Sequence, residues 1–196
     1  MKKILTFTTF LIIIFSSVGK VHSIEADVFI QSVVNRAAKT LGGNLSKKER
    51  IKKLKDIARE TVDIDGIGRY TLGSYKNEIT DSQKIEYKFL FRQYFLKSFA
   101  SRLAEYSNPE IEVVSKKKLN ENYTMVSSIL VSTEKRPEVK IDWRVSTKNP
   151  DSPLIMNLVI EGLSLARTQK EEFSSIIQSN NGDINALFTI LKNFVK

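Results

Sequence analysis

The stretch "VKIDWRVSTKNPDSPLIMNLVIEGLSLARTQKEEFSSII", residues 139–177, decides the fold class. Val139, Ile141, Trp143 and Val145 alternate with Lys140, Asp142 and Arg144, the period-2 pattern of a strand with one apolar and one polar face. "KNPDSP" reads as a turn and "LIMNLVIE" as the next strand. Two strands joined by a short polar turn run antiparallel. Residues 159–173 then pass through Gly162 and Ser164 straight into a helix, so strands and helices segregate along the chain instead of alternating.

The corner raises a chemical question, because Gly162-Leu163-Ser164-Leu165-Ala166 has the outline of a nucleophile elbow. The only histidine is His22 and there is no cysteine. If His22 is removed with a leader segment, the rest of the chain cannot form a Ser-His-Asp triad, a thiol nucleophile or a structural zinc site. Two hydrolytic options survive: Ser164 with Lys170, and the carboxylate pair Asp63 and Asp65. The competing reading makes Gly162 a tight corner and Ser164 the cap of the helix that starts there.

Upstream, "EIEVVSKKKL" and "YTMVSSILVST" supply two further strands around a turn at "NEN", which gives about four antiparallel strands. Before them come helices. "ADVFIQSVVNRAAKTL" carries Val28, Val33, Val34, Ala37 and Leu41 near helical period and stops at Gly42 and Gly43. Ser46 with Glu49 forms a capping box ahead of a helix with Ile51, Leu54, Ala58 and Val62 on one side. Lys52, Lys53 and Lys55 lie among the charges opposite, either a solvated face or a docking surface for anions. Gly66, Gly68 and Gly73 leave room for one short helix.

Thr80 with Gln83 opens a long helix, residues 81–106. Ile85, Phe89, Leu96, Phe99, Leu103 and Tyr106 line one side, and Tyr87, Leu90, Phe91 and Tyr94 line another. A helix apolar on two sides has to be covered on two sides, by the sheet and by either a neighbouring helix or a bound apolar molecule. Arg92 interrupts the stripe, where a bend or split is expected. After the corner two helices close the chain, the second capped by Asp183 and carrying Ile184, Leu187, Phe188, Leu191 and Val195.

The amino end carries Lys2 and Lys3, the apolar run Ile4 to Phe15, and Val21 and Ser23 at the spacing of a cleavage site. This has the layout of an export signal, with cleavage after Ser23; the run is short of the roughly 20 residues that span a bilayer. Cleavage would leave 173 of the 196 residues and lower the formal charge from +9 to +6. That length suffices for one domain, residues 24–196, with a sizeable core.

"LGSYKNEITDSQKIEYKFLFRQYFLKSFASRLAEY", then "KIDWRV", "LVIEGLSLARTQKEEFSSII" and "GDINALFTIL", resemble the MlaC family of periplasmic phospholipid-binding proteins, also called toluene-tolerance proteins. Leu72-Gly73 ahead of Thr80 and Gln83, Phe99 with Leu103, and Glu161-Gly162-Leu163-Ser164-Leu165 followed by Phe173 carry the likeness. Departures fall at Tyr75-Lys76, at Pro153 to Leu158 and at Gln169-Lys170, and all keep the apolar alternation. The resemblance implies an α+β fold like the NTF2-like cone, a curved antiparallel sheet packed against helices around an apolar cleft. It implies a monomeric carrier of phospholipid between an outer-membrane lipoprotein complex and an inner-membrane lipid ABC transporter complex, in the periplasm, with no cofactor, no metal and no nucleic acid. It gives no catalytic residue. A periplasmic adaptor without a lipid cavity, and the Ser164 hydrolase, are the alternatives.

On this reading the cleft walls are Phe95 and Phe99 from the long helix, facing Met125, Ile129, Val131, Ile141, Trp143, Met156 and Leu158 from the strands. Each acyl chain loses roughly 12 kcal/mol on leaving a bilayer, at ~0.8 kcal/mol for each of about fifteen methylenes. A cavity near or above the top of the roughly 300 to 1,000 Å³ range of ordinary ligand pockets is therefore expected.

Overall fold

The computed structural model describes residues 24–134 and 136–196. The export-signal reading of residues 1–23 lies outside the described residues. Among the described residues, six α-helices, one 3₁₀ turn and five strands follow in the order α1 (Ala26–Gly42), α2 (Lys47–Thr61), α3 (Ile64–Thr71), the 3₁₀ turn Gly73–Asn77, α4 (Asp81–Leu103), β1 (Ile111–Asn120), β2 (Tyr123–Leu130), β3 (Val139–Ser146), β4 (Leu154–Ile160), β5 (Leu163–Ser164), α5 (Leu165–Gln178) and α6 (Ile184–Val195). No described helix is long and apolar enough to cross a membrane.

The sheet is a meander in which every strand pairs antiparallel with its sequence neighbour. It is open and curved. Three irregularities in the ladder, at Val114, Leu119 and Met156, each place an extra residue in one strand and bend it locally. The fifth strand is a two-residue continuation past the corner, pairing Leu163 with Ile160 and Ser164 with Val159. It is too short for sequence periodicity to reveal.

Helices cover one face of this sheet. α1 lies over β1 and β2, while α3 and α5 lie over β4; α4 packs against α2, α3 and α6. The core between the layers takes Val126, Val145 and Ile155 from the sheet and Ile30, Ile177, Leu187 and Leu191 from the helices, all at most 1% exposed. Both capping boxes are present: the Ser46 and Thr80 side chains accept from the amides of Glu49 and Gln83, whose side chains accept in return from the two capping amides. α1 ends at Gly42, and Gly43 is extended, so no left-handed cap is used.

Two expectations for α4 are corrected. The helix runs unbroken past Arg92, whose guanidinium donates to Asp65 of α3 at 2.7 Å and so needs no bend to escape the apolar stripe. The stripe itself is buried only in part. Leu96 packs inward and Phe99 and Leu103 are half-buried, but Ile85, Phe89 and Tyr106 are exposed, the first two at 73% and 62%, and Phe99 stacks on Phe95, in line with Tyr87 and Phe91 and not with Ile85 and Phe89. Tyr87, Leu90 and Phe91, the other group, form the core face of the first half.

Candidate functional site

A sheet face is defined by its register, because each step along a strand reverses the side chain. Val126 stands opposite Trp143, Ser128 opposite Ile141 and Leu130 opposite Val139. These residues share the face toward the helices, and Val126, Ser128, Leu130, Ile141 and Trp143 are buried there. Trp143 faces Leu158 in turn, and Ile141 faces Ile160. The inner face is thus Val126, Ser128, Leu130, Val139, Ile141, Trp143, Val145, Leu158 and Ile160.

Of the nine residues expected to line a cleft, the structure joins five in one apolar cluster: Ile141, Trp143, Leu158, Phe95 and Phe99. It places the other four elsewhere. Met125 and Ile129 pair with Arg144 and Lys140, on the outer face of the sheet. Val131 lies just past the end of β2, where its amide donates to the carbonyl of Glu110 at 2.9 Å. Met156 is the extra residue of the β4 irregularity, half-buried and outside the main cluster.

The reason for the β2 error is that "YTMVSSILVST" has apolar residues at both parities. A detail of chemistry could have settled it. A buried tryptophan needs an acceptor for its N–H, and Ser128, one strand away, provides it: Trp143 Nε1 donates to Ser128 Oγ at 2.8 Å, and the serine hydroxyl donates onward to the carbonyl of Ile141 at 3.3 Å.

The apolar cluster is unevenly closed. Around Val145, Ile177 and Leu187 it is sealed. Phe95 and Phe99 of α4, Phe29 of α1 and Ile111, Val113, Val139, Leu158 and Ile160 of the sheet are only partly buried against it, as are Tyr75, Tyr94 and Ile176. Phe29, Ile111, Val113, Val139 and Ile160 were not expected at the site. The rings of Phe95 and Phe99 stack nearly parallel, 5.5 Å apart, and Phe91 lies 6.1 Å from Phe95. Steps of four residues put Tyr87, Phe91, Phe95 and Phe99 in one ladder along α4, with Tyr87 and Phe91 5.7 Å apart. We call the partly buried residues of α4, α1 and the sheet the seam. The Phe95 and Phe99 rings border the core cluster there and are only partly buried. Two cavities among the described residues, of about 610 and 380 Å³, are lined by residues of the helices and the 3₁₀ turn and their ends.

The corner at Gly162 is architectural in its contacts. Glu161 and Gly162 both take left-handed backbone, φ 48° and 81°, which turns the chain within two residues. Ser164 Oγ accepts from the amide of Arg167 at 3.3 Å and from the side-chain amide of Asn157 at 2.9 Å. Asn157 also accepts from the amide of Ala166 at 3.1 Å, so two of the open donors of the helix start are matched by side chains. Lys170 instead lies over the Tyr70 ring, 5.5 Å from its centroid. Nor are Asp63 and Asp65 a reactive pair, since Asp63 caps α3 through the amide of Gly66 while Asp65 bonds Lys88 and Arg92. Burial pushes the Asp65 carboxyl up, but the hydrogen bonds from Lys88 and Arg92 outweigh it and hold it below the ordinary aspartate value.

Comparison with known proteins agrees with this architecture. The chain is similar in structure to a phospholipid-binding protein from Ralstonia solanacearum, solved in complex with a phospholipid, with a TM-score of 0.73 and 19% identity over 88% of this chain and 97% of the other. At that identity the likeness speaks for the fold. No curated protein matches the sequence. Residues 30–193 match the family model described as MlaC protein, nearly the whole of the folded region. The chain belongs to the MlaC family.

Proposed function

We propose that this protein is a phospholipid carrier of the periplasm, exported by cleavage after Ser23, which passes lipid between an outer-membrane lipoprotein complex and an inner-membrane lipid ABC transporter complex. Family membership and the phospholipid held by the similar Ralstonia solanacearum protein support the ligand class. The observation that carries the reading in this chain is the seam. Its apolar side chains join the core cluster yet stay partly open to water, a surface that an acyl chain covers at a gain of roughly 25 cal/mol per Å². Tails enter by displacing the Phe95 and Phe99 rings, with Ile141, Trp143 and Leu158 as the opposite wall; Met125, Ile129, Val131 and Met156 act only if the tails reach beyond it.

The sealed packing around Val145 and Leu187 favours the competing reading, an adaptor that binds protein alone. Organic extraction of the purified protein followed by lipid mass spectrometry separates the two. Phospholipid in stoichiometric amount supports the carrier, and a folded protein free of lipid both as isolated and after incubation with vesicles supports the adaptor. A hydrolase has little support, because Ser164 spends its hydroxyl on the helix cap.

A further inference from the structure

Between α3, the 3₁₀ turn and the first half of α4 lies the 380 Å³ cavity. Its floor is apolar. Leu72, Tyr87 and Phe91 are each less than 5% exposed, so the floor is the outer surface of the core itself. Gly68 makes that floor possible: a Cβ there would come within 2.7 Å of the Phe91 ring. Tyr87 adds no charge, since burial pushes its phenol far above the ordinary value and its hydroxyl is bonded to Thr71 at 2.8 Å.

The rim is cationic, with Arg69, Lys76, Lys84 and Lys88 against a single carboxylate, Asp65. That carboxylate already serves two cations, Lys88 at 2.9 Å and Arg92 at 2.7 Å. Lys84 is held by Asp81 at 2.9 Å. Arg69 and Lys76 form no salt bridge among the described residues and stand exposed at the mouth. Unmatched cations over an apolar floor fit an anion that carries an apolar body. Phosphate fits better than carboxylate, because its additional oxygens can accept from several cations at once.

We propose that this cavity binds a phosphate group, with the apolar remainder of its bearer resting on the Tyr87–Phe91 floor. The phosphate has two possible sources, the head group of a carried lipid or a free phosphate, and the first rests on the carrier reading above. The aromatic ladder gives the head-group source a physical route. Tyr87, Phe91, Phe95 and Phe99 join the floor to the seam over twelve residues, about 18 Å at 1.5 Å per residue.

The test follows the backbone amides of Gly68 and Asn77 by nitrogen-15 NMR in the intact protein and in its Arg69→Gln/Lys76→Gln variant. Both substituted residues are exposed and unpaired, and a thermal melt checks that the variant folds. The probes are inorganic phosphate, dihexanoyl phosphatidylglycerol and the uncharged dihexanoylglycerol. The expected result is that phosphate shifts both amides, and that the charged lipid binds roughly tenfold tighter than the uncharged one, an advantage the variant loses. If phosphate shifts the amides only in the unmodified protein while both lipids bind both proteins equally, the site stands and free phosphate is its ligand. If phosphate alone binds and neither lipid does, the carrier reading fails and the site survives. If neither phosphate nor the charged lipid moves the two amides, the proposal is overturned.

Discussion

Helix α4 presents apolar residues in two ways. The inner ladder begins with Tyr87 and Phe91, both 2% exposed, and ends with Phe95 and Phe99, which the sheet and its neighbours leave partly open. The outer stripe begins with Ile85 and Phe89, exposed at 73% and 62%, and becomes buried at Leu96. Ladder and stripe therefore change cover in opposite directions along one helix. Composition does not distinguish Phe89 from Phe91; the neighbour across from each does. Phe91 meets Phe173 edge-on with ring centroids 6.2 Å apart, whereas Phe89, 62% exposed, borders the groove beside α6.

The largest difference should appear on truncation of these two rings. Phe91→Ala empties a buried position in the core and should cost about 3–5 kcal/mol of unfolding free energy, whereas Phe89→Ala should stay within about 0.5 kcal/mol. Urea denaturation of both variants measures the contrast. Equal losses would mean that the outer stripe is covered in solution and that the comparison is misdrawn.

A smaller effect is expected at the corner, far from both sides of α4. Ser164→Ala removes a helix cap and should lower stability by roughly 0.5–2 kcal/mol. Lipid transfer between vesicles should stay at the level of the unmodified protein. An esterase activity that disappears in this variant would restore Ser164 as a nucleophile.

The smallest effect concerns α2, which packs on α4 and leaves Lys52 and Lys53 exposed and Lys55 half-buried. Raised salt should slow lipid exchange with acidic liposomes, because attraction between exposed charges decays over roughly 8 Å at physiological ionic strength, and it should leave bound lipid in place. Charge reversal at these three lysines should slow exchange in the same way if the face docks on anions. No change would make it a solvated face.

Much of this architecture could be read in the sequence because its signals are local. Ser46 with Glu49 and Thr80 with Gln83 announce helix starts at fixed spacing, and the alternation about Trp143 identifies β3 and its inner face. Other features depend on what lies across a gap. The parity of β2 is set by the Ser128–Trp143 hydrogen bond, since either face of that strand is apolar enough to be buried. Arg92 looked like a break because Asp65, its partner 27 residues earlier, cannot be assigned from spacing. The exposure of Ile85 and Phe89 depends on which elements pack on that side of α4, and spacing along one helix does not show this. At the site, local signals identified the two phenylalanines and the β3 wall but missed Val139 and Ile160, whose place follows from the register of three strands.

The central claim is that acyl chains occupy the seam. It is tested most directly by placing a photoreactive phenylalanine analogue at Phe99 or, separately, at Phe89, irradiating the protein loaded with phospholipid vesicles, and searching each peptide for a lipid adduct by mass spectrometry. The account predicts an adduct at position 99 and none at 89. An adduct at 89 with none at 99 would contradict it and move the lipid to the outer stripe.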